Sequence, residues 1–181
     1  MISYAGIGSR DIKPDEVIRI RTIAKQMARR NFILYAGNAD GADIAFQAGS
    51  NSQCILMLPW KRFNHNNYST EACIEAFDLG SSAAGLASID QFHPNPSALS
   101  DGARRIMARN YHQVHGYNQW PIVSFVICCS NEVNGKVIGG TGQAVRIAQS
   151  LRIPIFNIRN AGWGDALGAF LKTLNDKPSN A

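Results

Sequence analysis

Ile2-Ser3-Tyr4-Ala5-Gly6-Ile7-Gly8-Ser9-Arg10 is the stretch on which the fold is read. Residues 2–5 form an apolar strand candidate that runs into a turn, Gly6 to Arg10, where glycine opens backbone angles closed to other residues. A helix follows. Pro14 suits a first helical turn, Asp15 and Glu16 suit the positive end of its dipole, and Val17, Ile20, Ile23, Ala24 and Met27 recur at helical spacing. Lys25, Arg29 and Arg30 supply the basic C-terminal end.

This unit of buried strand, glycine turn and helix returns along the chain. Residues 32–36 read as a second strand, Gly37-Asn38-Ala39-Asp40-Gly41 as a loop, residues 42–48 as a short helix closed by Gly49, and residues 54–58 as a third strand. Residues 122–128 are the most apolar strand. Gly139-Gly140-Thr141-Gly142 leads into a helix through Leu151, residues 153–157 form another strand and residues 163–174 a last helix. Short continuous apolar strands alternating with amphipathic helices mark a parallel sheet covered on both faces. The expected fold is a single Rossmann-like, doubly wound α/β domain over residues 1–176, with a flexible tail at 177–181. Residues 59–91 are less regular, with a short helix expected at 70–77 and a small-residue stretch at 80–85. Ser97 is read as the cap of a helix over 98–115.

Composition narrows the class. The 181 residues carry 18 Lys plus Arg against 13 Asp plus Glu, a formal charge of +5, and 45% are hydrophobic. That is globular rather than disordered. No apolar run approaches the roughly 18 residues of a membrane span, and the opening residues lack the order of a secretory signal, so a cytoplasmic protein is expected. Cys54, Cys73, Cys128 and Cys129 show no CxxC spacing. They are expected to be reduced, with Cys128 and Cys129 pointing to opposite faces of one strand.

Each of the three glycine turns, at Gly6 to Arg10, Gly37 to Asp43 and Gly139 to Gly142, follows a strand candidate. In a doubly wound sheet such loops gather on one edge, where helix N-termini offer unpaired N–H groups to an anion. A phosphate or nucleotide pocket is the expectation. Neither GxxxxGK[ST] nor a complete GxGxxG is present, which removes support for a standard ATP or NAD site. Arg10, Lys61-Arg62 and Arg109-Asn110 add cations near strand ends, and arginine forks match phosphate oxygens. Arg104, Arg105 and Lys61 also read as ordinary surface charges. Trp60, Phe63, His65, Tyr68, His93, Tyr111, His112, His115, Tyr117 and Trp120 crowd the middle of the chain, available to stack on a base or to pack on each other. His112 and His115 lack the partner set of a zinc site, so no metal is expected, and no cofactor is indicated. No GxSxG context supports a serine hydrolase.

Tyr4-Ala5-Gly6-Ile7-Gly8-Ser9-Arg10, Gly37-Asn38-Ala39-Asp40-Gly41-Ala42-Asp43 with Phe46, Leu58-Pro59-Trp60, Arg109-Asn110 and Gly139-Gly140-Thr141-Gly142 together resemble the SLOG superfamily over about residues 2–158. That group includes DprA/Smf DNA-processing proteins, LOG phosphoribohydrolases and YpsA-like proteins. The resemblance implies a ligand edge built from Gly8, Ser9, Arg10, Gly37, Asp40, Gly41, Asp43, Trp60, Arg109, Asn110, Gly139, Gly140, Thr141, Gly142 and Arg146. LOG enzymes carry PGGxGTxxE, whose glutamate serves N-glycosidic cleavage; here Gln143 stands at the threonine and Arg146 at the glutamate. A permanent cation replaces a carboxylate, which favours anion binding over hydrolysis. Asp40, Asp43 and Glu132 are the candidate substitutes.

The single-domain form with its GGTGQA turn is similar to stand-alone SLOG-type proteins of bacteriophages. The function this implies is binding, or sequestering, a nucleotide-derived defence signal of ADP-ribose or cyclic type. The alternatives are a nucleoside monophosphate N-glycosidase and a DprA-like binder of single-stranded DNA. The partner expected is a nucleotide or nucleotide-derived small molecule, with nucleic acid second and no membrane. A homo-oligomer is expected through Leu99, Ile106 and Met107 on the helix at 98–115, and Arg109 is expected to clamp phosphate without supporting the fold.

Overall fold

Tyr4, Ala5, Leu34, Tyr35, Ile55, Leu56, Val126 and Ile127, all buried, belong to strands that lie side by side in one parallel sheet. The computed structural model describes residues 1–65 and 73–175. In chain order the elements are β1 (Ser3–Gly8), α1 (Pro14–Ala28), β2 (Ile33–Ala36), α2 (Ala42–Gly49), β3 (Cys54–Leu58), β4 (Glu75–Asp78), α3 (Ala83–Phe92) and α4 (Asp101–His115). Then come β5 (Phe125–Cys129), the strands β6 (Glu132–Val133) and β7 (Lys136–Val137), α5 (Gly139–Ser150), β8 (Ile155–Asn157) and α6 (Trp163–Asn175). The six-stranded sheet runs β4-β3-β2-β1-β5-β8, every neighbouring pair parallel. The chain builds outward from β1 to β4, then crosses back to β5 on the other flank of β1. Strand order reverses between β1 and β5, where doubly wound sheets open a crevice at their carboxyl edge.

Alternation along the strands sorts the core into two layers. Tyr4, Leu34, Leu56, Phe125 and Cys129 face α1, α2 and α6, while Ala5, Tyr35, Ile55, Val126 and Cys128 face α4 and α5. Cys128 and Cys129 therefore point to opposite faces, as expected, and burial pushes their thiols up to about 12 and about 11. All four cysteines are buried, and none forms a disulfide.

Several boundaries differ from the sequence reading, each for a packing reason. Gly6 and Gly8 lie within β1 rather than in a turn. A Cβ on Gly6 would stand 2.6 Å from Leu34 Cδ1 and 2.7 Å from Phe46 Cγ, and one on Gly8 would stand 2.6 Å from Ala42 Cβ, so both glycines serve the close seating of α2 against the strand. In place of the helix expected at 70–77, residues 75–78 form β4, with Ala76 and Phe77 on opposite layers; 66–72, including Tyr68, lie outside the described residues. The small-residue stretch opens α3, whose N-cap Ser82 accepts from Gly85 N–H at 3.1 Å. Gly85 is a packing requirement: a Cβ there would stand 2.4 Å from Ala108 O of α4. Ser100, not Ser97, caps α4, and Pro96–Ala98 form a short 3-10 turn before it. The tail at 177–181 is also outside the described residues. Among the described residues no helix is long and apolar enough to cross a membrane.

The apolar residues offered for self-association are used within the chain. Met107 packs with Ile89 and Ala108, and Leu99, Ile106 and Leu86 lie against that cluster. Ile106 and Met107 of α4, with Leu99 just before it, thus pack toward α3 within the chain.

One ion pair ties the first turn of α1 to the segment after β8. Arg159 Nε and Nη2 donate to Glu16 Oε1 and Oε2 at 2.7 and 2.8 Å, and Nη1 donates to Asn131 Oδ1 at 2.7 Å. These bonds, with that from Lys13 N–H, hold the Glu16 carboxyl down at about 2. Because its folded value is depressed, the stabilisation is present at neutral pH and lost as pH falls from the usual carboxylate range through about 2. Glu16→Gln is expected to cost about 1–2 kcal/mol at pH 7, solvent screening included. In urea unfolding the variant and the parent should converge as the pH approaches 2.

Candidate functional site

A cavity of about 640 Å³ opens at the reversal between β1 and β5, within the roughly 300–1,000 Å³ common to small-molecule sites. Its walls come from all three regions expected as glycine turns: Gly8 at the end of β1 with Ser9, Arg10 and Asp11 after it, Ala39 and Asp43 after β2, and Gly139, Gly140 and Thr141 at the start of α5. Ser130 and Asn131 follow β5, and α4 contributes Ile106, Met107, Arg109, Asn110 and Gln113.

The turns share the edge but do not play equal parts. Ser9 N–H donates to Cys129 O at 2.8 Å, and Ala42 N–H donates to Ser9 O at 3.0 Å, locking the first two turns together. Gly41, at φ +81°, permits this: a Cβ there would stand 2.4 Å from Arg10 O. The start of α1 is closed by its own residues, since Lys13 N–H donates to Glu16 Oε2 at 2.8 Å. In the second turn the Asp43 carboxylate accepts from Gly37 N–H at 3.1 Å and Ala39 N–H at 3.4 Å. Two of the three turns therefore spend these N–H groups on the protein itself.

Helix α5 differs. Its N-cap is Ile138, a residue without a side-chain acceptor, and among the described residues no group accepts from the N–H of Gly139, Gly140 or Thr141. Those three residues line the cavity. Asn110 Nδ2 donates to Gly140 O at 3.2 Å, so the second member of the Arg109-Asn110 pair aligns the turn. Orphan N–H groups at the positive end of a 12-residue helix make an anion site. Arg10, exposed on the same wall, has no side-chain partner among the described residues.

Arg109 is placed differently from the expectation. It is 3% exposed, its Nη1 donates to Gln113 Oε1 at 2.6 Å and to Asp43 Oδ2 at 3.4 Å, and its guanidinium stands 5.9 Å from the Phe63 ring centre. It rests directly on Gly37, where a Cβ would fall 1.1 Å from Nη1. Burial pushes Asp43 upward and Arg109 downward, each opposed by the other's charge. Arg109 is thus a floor beneath the cavity. Its Nε and Gln113 Nε2, both buried, have no partner among the described residues, leaving unspent donors under the lining.

Other expected residues stand apart from the cavity lining. Exposed Asp40 accepts from Asn64 Nδ2 at 2.9 Å. Trp60 packs edge-on against Phe63 at 5.0 Å. Gly142 lies inside α5, where a Cβ would stand 2.4 Å from Val137 O. Arg146 Nε donates to Phe92 O at 2.5 Å, closing the C-terminus of α3, so its cation is not turned to the ligand edge. Gly37 and Gly41 shape the walls without lining them. Among the described residues no aromatic ring lines the cavity; Tyr111 stacks on His115 at 4.7 Å and Phe77 meets Tyr117 at 5.1 Å instead. The apolar wall is made by Ile106, Met107, Ile138 and Ala144.

Sequence reasoning passed over Asp11, Ser130, Asn131, Gln113 and Ile138. Asn134-Gly135, both at positive φ, was the available signal for the β6–β7 hairpin that carries Asn131 and Ile138 at its two ends. Gln113, four residues after Arg109, was legible from helical spacing. Among the described residues no group of His, Cys, Asp and Glu could hold a metal.

No family model matches the sequence, and no curated protein matches it. Solved structures do. DNA processing protein A from Helicobacter pylori, described for its single-stranded DNA binding mode, is similar over 96% of this chain and 80% of its own, with TM-score 0.60 and 17% identity. TM1055, a structural-genomics target, is similar over 92% of this chain and 80% of its own, with TM-score 0.54 and 14% identity. The likeness is one of fold: the chain shares the Rossmann-like α/β architecture of these structures.

Proposed function

We propose that the protein binds a nucleotide-type ligand in the cavity between β1 and β5, with a phosphate on the first turn of α5 and Arg10 beside it. The carrying observation is the uncapped start of α5, which faces a cavity with unspent donors beneath its floor. The base is assigned to the apolar wall of Ile106, Met107 and Ile138 rather than to the aromatic residues in the middle of the chain. A defence signal of ADP-ribose or cyclic-nucleotide type has this chemistry and belongs in the ligand panel.

Binding is favoured over hydrolysis by the state of the carboxylates that the sequence offered in place of the LOG glutamate, of which exposed Asp40 stands off the cavity lining. N-glycosidic cleavage needs a carboxylate free to stabilise positive charge or activate water. Asp43 is committed to Arg109 and two backbone N–H groups, and Glu132 accepts from Asn157 and Asn160 Nδ2 at 2.9 and 2.8 Å away from the cavity lining. Incubation with AMP, GMP, CMP and UMP is expected to release no base above a protein-free control. Base release abolished by Asp43→Asn would make the protein a hydrolase.

Calorimetry tests the reading with the four 5′-monophosphates, ADP-ribose, 3′,5′-cyclic AMP and a dT oligonucleotide. At least one nucleotide should bind at a single site, and Arg10→Ala should weaken it roughly 10-fold or more, the worth of a charge-assisted hydrogen bond. Binding of the oligonucleotide alone would replace this reading with a DprA-like one.

A further inference from the structure

Asp11 is the feature of the cavity that phosphate binding leaves unexplained. A carboxylate beside an anion site is repulsive, yet Asp11 lines this cavity and also a second one of about 590 Å³ next to it. The two share Ser9, Asp11 and Asn131, so Asp11 stands on their common wall. Its backbone is held on both sides: Asp11 N–H donates to Ser9 Oγ at 3.1 Å, and Asp11 O accepts from Arg159 Nη2 at 3.1 Å.

Its carboxylate is not needed by its neighbours. The start of α1 is already served by Glu16, and Asp15 pairs with Arg19 at 3.6 Å. Arg159 spends its guanidinium on Glu16, Asn131 and the Asp11 carbonyl. Among the described residues, Asp11 is the carboxylate on either lining left with no side-chain partner. An ionised carboxylate only accepts hydrogen bonds, and its two oxygens are spaced to take two neighbouring O–H donors. A nucleotide offers such a pair away from its phosphate, in the 2′,3′-diol of ribose.

We infer that Asp11 accepts both hydroxyls of a ribose diol, making the site selective for ribonucleotides with free 2′ and 3′ hydroxyls. This rests on the nucleotide reading above and narrows it. Arg10 and Asp11 give the wall one cation and one anion without partners, which suits a single phosphate and a sugar better than a polyanionic strand.

The test compares AMP, GMP, CMP and UMP with their 2′-deoxy counterparts by calorimetry on the parent protein and on Asp11→Asn. In the parent the ribonucleotide that binds is expected to exceed its deoxy partner roughly 10-fold, the effect of a hydrogen bond to a charged group. Asp11→Asn should abolish the difference between the ribonucleotide and its deoxy partner, leave the deoxynucleotide no weaker than in the parent because a repulsive charge is removed, and keep the parent's melting temperature. Equal affinities in the parent, or a loss in Asp11→Asn shared by both sugars, would overturn the assignment while leaving nucleotide binding intact. Binding by neither series, nor by ADP-ribose or 3′,5′-cyclic AMP, would overturn the nucleotide reading and this one with it. Asp11→Ala serves as a second variant, with the same outcomes expected.

Discussion

Asp43→Ala is expected to lose about 3–5 kcal/mol of folding stability, the usual cost of leaving a buried charge without its partner. Three donors converge on that carboxylate: Gly37 N–H, Ala39 N–H and Arg109 Nη1. Removing it strands a guanidinium that is 3% exposed and keeps only Gln113 Oε1. At roughly 2–4 °C per kcal/mol for a domain of this size, the melting temperature should fall by about 6–20 °C. Arg109→Met, added to Asp43→Ala, should restore part of the loss, because two apolar residues leave no charge to compensate. Urea unfolding of the two single variants and the double variant reads this coupling directly. Undiminished stability in Asp43→Ala would mean that the pair does not hold the second turn against α4.

The burial of Arg109 against Asp43 departs from an expectation drawn from the Arg109-Asn110 motif alone. Sequence places Arg109 near strand ends but does not say which way its guanidinium points. The answer depends on Gly37, whose missing Cβ leaves the space that Nη1 occupies. Arg146 is similar: its position relative to Gly139-Gly140-Thr141-Gly142 is legible, but its use at the end of α3 is not, because α3 itself was hidden. With Gly85 and runs of small residues, α3 lacks the polar face that advertises a helix, and its glycine answers to a contact with α4 far along the chain.

What depended on local pattern was legible. The alternation of apolar strands and helices gave the parallel sheet, and the glycine turns marked one edge of it. The division of labour among those turns was not, since it turns on which N–H groups other residues consume. Even there a local sign existed: α5 begins after Ile138, among the poorest capping residues, whereas the start of α1 carries Glu16 to close it.

Ile138→Asp exploits that difference and should separate stability from binding in opposite directions. Ile138 is 49% exposed with φ −101° and ψ 169°, the extended geometry of an N-cap, so an aspartate fits without strain. Its carboxylate would accept from the N–H of Gly140 or Thr141 and stabilise the helix by about 0.5–2 kcal/mol. The same carboxylate would fill the anion site and repel phosphate. Nucleotide affinity is expected to drop about 100-fold or more, near 2.7 kcal/mol, while the melting temperature holds or rises. Ile138→Ala removes the apolar contact with the base without adding an acceptor, and should cost about 10-fold at most. Equal losses in the two variants would assign the effect to the apolar wall and not to the start of α5.

The phosphate position itself is read most directly from backbone amides. Titration of isotope-labelled protein with AMP, followed by amide chemical shifts, is expected to move Gly139, Gly140 and Thr141 furthest, with Gly8 to Asp11 next, and to saturate at one equivalent. If those three amides stay in place while Lys61 and Arg62 after β3 shift, the ligand lies elsewhere on the edge and the anion site at α5 is wrong.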